Sequence, residues 1–158
     1  VTYQGNDGTP IHGDYLVPAW HNQESYPCVV LYHGYTGSKG LPEHHAAYLL
    51  AGFAVFSIDI RGQAGDTGDL TPLHGGMTRG WITKGIRNPY ECYYKVIITD
   101  AIRAIDWVRE QPEVDSSRIG GGGGSQGGGL ALAVSASGCR HAFAVADVPN
   151  MCHMDWAI

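Results

Sequence analysis

From Gly120 to Gly129 every position of this chain is glycine except Ser125 and Gln126. A stretch so poor in side chains buries little of its own and loses the most chain entropy on folding. It belongs where two backbones must approach closely, or in a flexible tether, and its surroundings decide between the two. Arg118 and Ile119 open an extended segment before it, and Leu130 to Ser137 reads as a helix of small residues after it. The run therefore occupies a strand-to-helix turn.

The rest of the chain supports that placement. Ile11 to Val17 alternates apolar and polar residues, as an outer strand does, and Cys28 to Tyr32 is a short apolar run. His44 to Ala51 is rich in helix formers and stops at Gly52, and Phe53 to Ile60 is again apolar and β-branched, which makes one βαβ unit. Gly62 to Arg87 lacks periodicity and reads as a long excursion. Asn88 as cap, Pro89 in the first turn and Glu91 as capping-box acid predict the start of the strongest helix. Along it Tyr94, Ile98, Ala101, Ile102, Ile105 and Val108 form an apolar face, opposed by Asp100, Arg103, Asp106 and Glu110, before Pro112 ends the run. His141 to Ala146 is the next strand. Strands alternating with helices predict an α/β fold, a single domain built on a mainly parallel sheet with helices on both faces and right-handed crossovers.

The 158 residues are 44% apolar and 16% charged, with a formal net charge of −5, and the ten Lys and Arg are scattered singly. This composition offers no basic patch for nucleic acid, and no apolar run approaches the length that crosses a bilayer. Cys28, Cys92, Cys139 and Cys152 form no CxxC pair and read as reduced thiols, which favours a reducing compartment. Cys139, His141, Cys152, His153 and Asp155 can be drawn as a metal site, but their spacing matches no standard zinc pattern.

Three readings of the glycine-rich turn follow. Gly123-Gly124-Ser125-Gln126-Gly127 satisfies G-x-S-x-G between strand and helix, where a hydrolase nucleophile elbow must sit. In that reading Ser125 is exposed at the carboxyl edge of the sheet, and the Gln126 amide points at a developing oxyanion. Gly122 to Gly127 also spells the dinucleotide fingerprint G-x-G-x-x-G, with Asp147 near the spacing of a ribose ligand. Against this, the preceding strand is poor in large aliphatics and the motif does not open the fold. The third reading is a GGGGS linker, although periodic structure resumes at once on its C-terminal side.

Separated motifs then coincide: His33-Gly34-Tyr35, Arg61-Gly62-Gln63 and Gly124-Ser125-Gln126-Gly127. With Gly76 to Gly80, Thr83 to Ile86, Asp100 to Ala104 and Asp115 to Gly120, they span nearly the whole chain. Together they resemble the acetyl xylan esterase and cephalosporin C deacetylase family, carbohydrate esterase family seven, of the α/β-hydrolase superfamily. The resemblance implies removal of short acyl groups from acetylated sugars or cephalosporin C through a serine acyl-enzyme, with no metal or organic cofactor. It makes Ser125 the nucleophile and the backbone amides of Tyr35 and Gln126 the oxyanion hole. Arg61 and Gln63 are expected to brace the nucleophile turn; the plainer reading is a surface salt bridge and a loop amide. A cytoplasmic homohexamer whose sites open inward, admitting small acetylated substrates but not large polymers, is also implied, with no nucleic-acid or membrane partner.

Two departures stand out. Gly121 and Gly122 replace bulkier residues before the elbow, and the family's acid and base follow the nucleophile at a distance, whereas here only Gln126 to Ile158 remain. The simpler expectation is that 1–158 is the N-terminal and central part of an α/β-hydrolase domain, inactive on its own, with the catalytic Asp and His beyond Ile158. The alternative is a rearranged triad using Asp147 and His153. His33 is expected to shape the oxyanion loop, and His44 and His45 to lie on an exposed helix face.

Overall fold

The computed structural model of the chain describes residues 1–20, 23–70, 80–138 and 141–152. His153, Asp155, Cys139 and the Gly76 to Arg79 part of the expected motif lie outside them. Among the described residues the strands are β1 (Thr2–Gln4), β2 (Pro10–Leu16), β3 (Tyr26–Tyr32), β4 (Ala54–Ile58), β5 (Val114–Gly124) and β6 (Phe143–Asp147), and they form one sheet in the order β1-β2-β4-β3-β5-β6. The first two pairings are antiparallel and the others parallel. The strand expected at the outer edge, Ile11 to Val17, stands second: Tyr3 of β1 pairs with Ile11, and a three-residue strand is too short to show a period.

β3 lies in the middle, with Val30 paired to Phe56 on one side and to Gly121 on the other. Its even-numbered neighbours Cys28, Val30 and Tyr32, with Ala54, Phe56 and Ile58 of β4, meet Ile97, Ala101, Ala104, Ile105 and Val108 of α2 (Tyr93–Arg109) in a single buried cluster. Each fully buried isoleucine there contributes about 2 kcal/mol.

The helices decide where a site can form. α1 (Ala46–Leu50) carries the chain from β3 to β4, and α2 carries it back across β3 to β5. With both crossovers right-handed, α1 and α2 take opposite faces, and α3 (Gln126–Ala136) packs beside α2. The loops leaving β3 and β5 therefore diverge, and a crevice opens at the carboxyl ends of these two strands. Among the described residues no helix is long and apolar enough to cross a membrane.

Three local expectations are corrected. The helix expected to begin at Asn88 begins at Tyr93, behind an extended Cys92. Asn88 caps a turn instead, its side-chain oxygen accepting Tyr90 N–H (3.0 Å). The Tyr93 amide is satisfied outside the helix, by the Lys84 carbonyl (2.9 Å). Asp100, assigned to the polar face, is buried, because Tyr93, Ile97, Asp100 and Ala104 share the inward stripe. His45, assigned to an exposed face, is also buried, and its Nε2–H reaches the Lys39 carbonyl (3.0 Å). The excursion after Gly62 holds a short 3-10 turn, Trp81–Thr83, which seats Trp81 against Gly62 and Tyr93.

Candidate active site

Ser125 sits between the last residue of β5 and the first of α3, at φ 53°, ψ −116°. A non-glycine residue held there is strained by about 1–3 kcal/mol. Backbone hydrogen bonds over-determine it: its N–H donates to the Asp147 carbonyl (2.9 Å), and its C=O accepts from Gly129 (3.0 Å) and Asn150 (3.0 Å). The side chain is exposed, and among the described residues none hydrogen-bonds to its Oγ.

The surrounding glycines have a steric reason. A methyl on Gly123 or Gly127 would overlap the Tyr32 carbonyl, so only glycine lets α3 start this close to β3. At Gly121 and Gly122 the added carbon would meet only ordinary contacts, 3.4 Å to Tyr32 Cε2 and 3.6 Å to the Val145 carbonyl, and at Gly124 nothing nearer than 3.9 Å. Of the fingerprint-like glycines Gly122, Gly124 and Gly127, strand-helix packing requires Gly127, and Asp147 contributes its carbonyl to the turn while its side chain is exposed.

Gly129 makes the first helical bond of α3, so the Gln126 amide above it is one of the free N–H groups of a helix start. Tyr35 lies across the crevice, in the loop after β3, and among the described residues its amide donates to no acceptor. Its neighbour Thr36 has φ 65°. His33 shapes this loop. Its Nε2 accepts the Ile60 N–H (2.9 Å), which requires the proton on Nδ1, and Nδ1 donates to the Gly34 carbonyl (2.8 Å). Burial pushes its pKa down against the opposing pull of Gly34 and Asp59, and with both nitrogens engaged it is not a base for Ser125.

His141 is excluded geometrically. β6 runs parallel to β5 with Gly120 opposite Phe143 and Gly124 opposite Asp147, so His141 lies at the far end of the sheet, about 20 Å from Ser125 along the strand. Three members of the drawn metal set, Cys139, His153 and Asp155, lie outside the described residues.

Gln63 joins the two sides of the crevice. Its Oε1 accepts the Thr36 N–H (2.7 Å), while its Nε2 donates to Gln126 Oε1 (2.7 Å) and to Tyr93 Oη (2.9 Å). Arg61 behaves differently. Its fully buried guanidinium bonds Asp100 through Nε (2.7 Å) and Nη2 (2.9 Å), Asp7 and Thr9 through Nη1 (3.1 Å each), and the Asn6 carbonyl through Nη2 (3.0 Å). This is a buried network, not a surface pair, and it ties the N-terminal turn to α2; only the Arg61 carbonyl reaches the Gln63 side, through Tyr93 Oη (2.6 Å). A cleft of about 430 Å³ beside it is lined by Asp7, Arg61, Asp69, Lys84, Glu91 and Tyr93, among others, and not by Ser125, Tyr35 or Gln126.

The sequence reading missed Asp59, at the end of β4. Its buried carboxylate accepts the Lys39 N–H (2.6 Å), Lys39 Nζ (3.0 Å) and the Asp66 N–H (2.8 Å), fastening the Tyr35 loop to the sheet. Burial acts to raise its pKa, but these amides and the ammonium outweigh it and hold the carboxyl below its ordinary 3.8. A depressed folded-state value stabilises above the unfolded value, and that contribution is lost as pH falls through the folded one. Asp59→Asn is therefore expected to cost about 2–3 kcal/mol at neutral pH. The gap to the unmutated protein should shrink on acidification, as denaturant midpoints at about pH 7 and pH 3 would show; a gap independent of pH would refute the assignment.

A model of the acetyl xylan esterase family matches residues 1–158. The structure is similar to that of an acetyl xylan esterase from Paenibacillus sp. R4, with TM-score 0.91 and 44% identity, covering 99% of this chain and 50% of that one. It is similar also to acetyl xylan esterase 1 from Thermoanaerobacterium sp. JW/SL YS485, with TM-score 0.86 and 32% identity, covering 94% of this chain and 46% of that one. An uncharacterized 31.7 kDa protein of Escherichia coli is 29% identical over 117 residues, 73% of this chain and 34% of that protein. The chain thus spans about half the length of the solved relatives.

Proposed function

Since the chain belongs to the acetyl xylan esterase family, with an α/β-hydrolase fold, we propose that it supplies the nucleophile and oxyanion hole of a serine esterase acting on short acyl esters. The observation that carries this reading is the strained, exposed Ser125 at a strand-helix turn, with the free amides of Tyr35 and Gln126 on either side of the crevice. Ser125 Oγ attacks the acyl carbonyl while a histidine held by an acid takes its proton. The tetrahedral oxyanion accepts from the two amides, the sugar hydroxyl leaves with the proton, and water releases the carboxylate from the acyl-enzyme.

The substrates proposed are acetylated xylo-oligosaccharides and cephalosporin C, in a cytoplasmic homohexamer that admits only small esters. The base and its acid are assigned to sequence following Ile158, so residues 1–158 alone are expected to turn over little ester. A fluorophosphonate probe tests the reading, because an activated serine is labelled stoichiometrically and a binding loop is not. Full-length protein should be labelled at Ser125 and should cleave acetyl esters faster than longer acyl esters. Active protein labelled elsewhere would refute the assignment of Ser125, and family-level turnover by 1–158 would place the triad inside it.

A further inference from the structure

We propose that Tyr93 is a positioning residue for oxyanion stabilisation: its hydroxyl anchors the nitrogen end of the Gln63 amide, and that amide sets the span between the Tyr35 loop and the start of α3. The inference rests on the esterase reading above and adds to it a group on α2 that never touches substrate.

The two backbone ends of the chain of contacts, the Arg61 carbonyl and the Thr36 N–H, force its direction. The Arg61 carbonyl can only accept, so Tyr93 Oη donates to it (2.6 Å). The hydroxyl has then used its one proton and can only accept from Gln63, at 2.9 Å. That places the Gln63 nitrogen toward Tyr93 and leaves its oxygen for the Thr36 N–H (2.7 Å), while the second amide proton goes to Gln126 Oε1 (2.7 Å). Turning the amide over would set N–H against N–H at Thr36, whose backbone group can only donate. The Thr36 N–H, which can only donate, sets this orientation, and the phenol anchors the nitrogen end of the amide that it leaves facing α2.

The donor itself is well held. Tyr93 is buried, with its ring against Trp81 (5.8 Å between centroids) and Tyr94 (6.3 Å). Burial pushes its pKa above the ordinary value, so the hydroxyl keeps its proton throughout the working range of an esterase. The consequence lies within one residue on each side: Thr36 follows Tyr35, and Gln126 carries both the bonded side chain and the second amide. An oxyanion hole works only if both donors lie about 2.7–3.1 Å from one point. A brace between the two segments sets that geometry before substrate arrives.

Tyr93→Phe in the full-length protein keeps the ring and removes the hydroxyl. The expected result is a fall in kcat on p-nitrophenyl acetate of about tenfold with KM within about twofold. Affinity for a boronic acid that forms a tetrahedral adduct at the serine should fall by the same factor, and amide hydrogen exchange at residues 34–36 should accelerate. Thermal unfolding measured alongside identifies a general loss of structure, which would raise exchange throughout and lower labelling by a fluorophosphonate. Unchanged kcat and boronate affinity, or faster exchange spread evenly over the chain, would overturn the proposal. An unmutated protein that neither hydrolyses esters nor takes the fluorophosphonate would sink the esterase reading instead; faster exchange confined to residues 34–36 would then still support the brace, and unchanged exchange there would overturn it too.

Discussion

Replacing Ser125 by alanine in the full-length protein is expected to lower kcat on p-nitrophenyl acetate by about five to six orders of magnitude, the loss seen when a triad nucleophile is removed. Alanine cannot leave the strained region any more easily than serine, so thermal stability should barely move. Glycine can adopt φ 53° without penalty, so Ser125→Gly should be equally inactive yet more stable by about 1 kcal/mol. The pair of variants separates chemistry from folding. Retention of even a hundredth of the activity in Ser125→Ala, or a less stable Ser125→Gly, would contradict the elbow as described.

The second large effect is expected at Gly127. A methyl there meets the carbonyl of Tyr32, in a central strand paired on both edges, and neither partner can rotate away. Gly127→Ala is expected to cost about 3 kcal/mol or more and to slow fluorophosphonate labelling, because helix and elbow must shift together. Gly121→Ala and Gly122→Ala, whose added carbons find ordinary contact distances, should fold and react normally. Equal behaviour of all three variants in thermal unfolding would show that the packing at the turn is not what requires glycine.

These contrasts mark what the sequence makes legible. The order of strands and helices is readable because β3 and β4, buried nearly throughout, stand out as short apolar runs, while α2 buries one face and so carries a helical period. The turn at Ser125 is readable because a close backbone approach admits one residue type. β1 escapes because three residues carry no period, and its edge position rests on pairing with β2. The true start of α2 escapes because Asn88 offers cap chemistry that a local turn uses instead. Asp100 is the instructive miss. Its charge suggests solvent, yet its spacing from Tyr93 and Ile97 places it on the buried stripe, where Arg61 on another element satisfies it. Asp59 and Tyr93 show the same limit at the site: their partners are set by tertiary contacts that no local pattern encodes, whereas Gln63 stands out through the family resemblance.

The network around Asp100 also bears on how the chain is made. Asn6 N–H bonds Asp100 Oδ1 across a separation of 94 residues, and Tyr3 Oη bonds the Asp100 carbonyl across 97. At about 5–20 residues per second of synthesis, the first strand exists for roughly 5–20 s before the residue that anchors it has been added. Throughout that interval the N-terminal turn has neither the Arg61–Asp100 pair nor α2 to hold it. The nascent chain must therefore keep this hairpin provisional until Asp100 has been added.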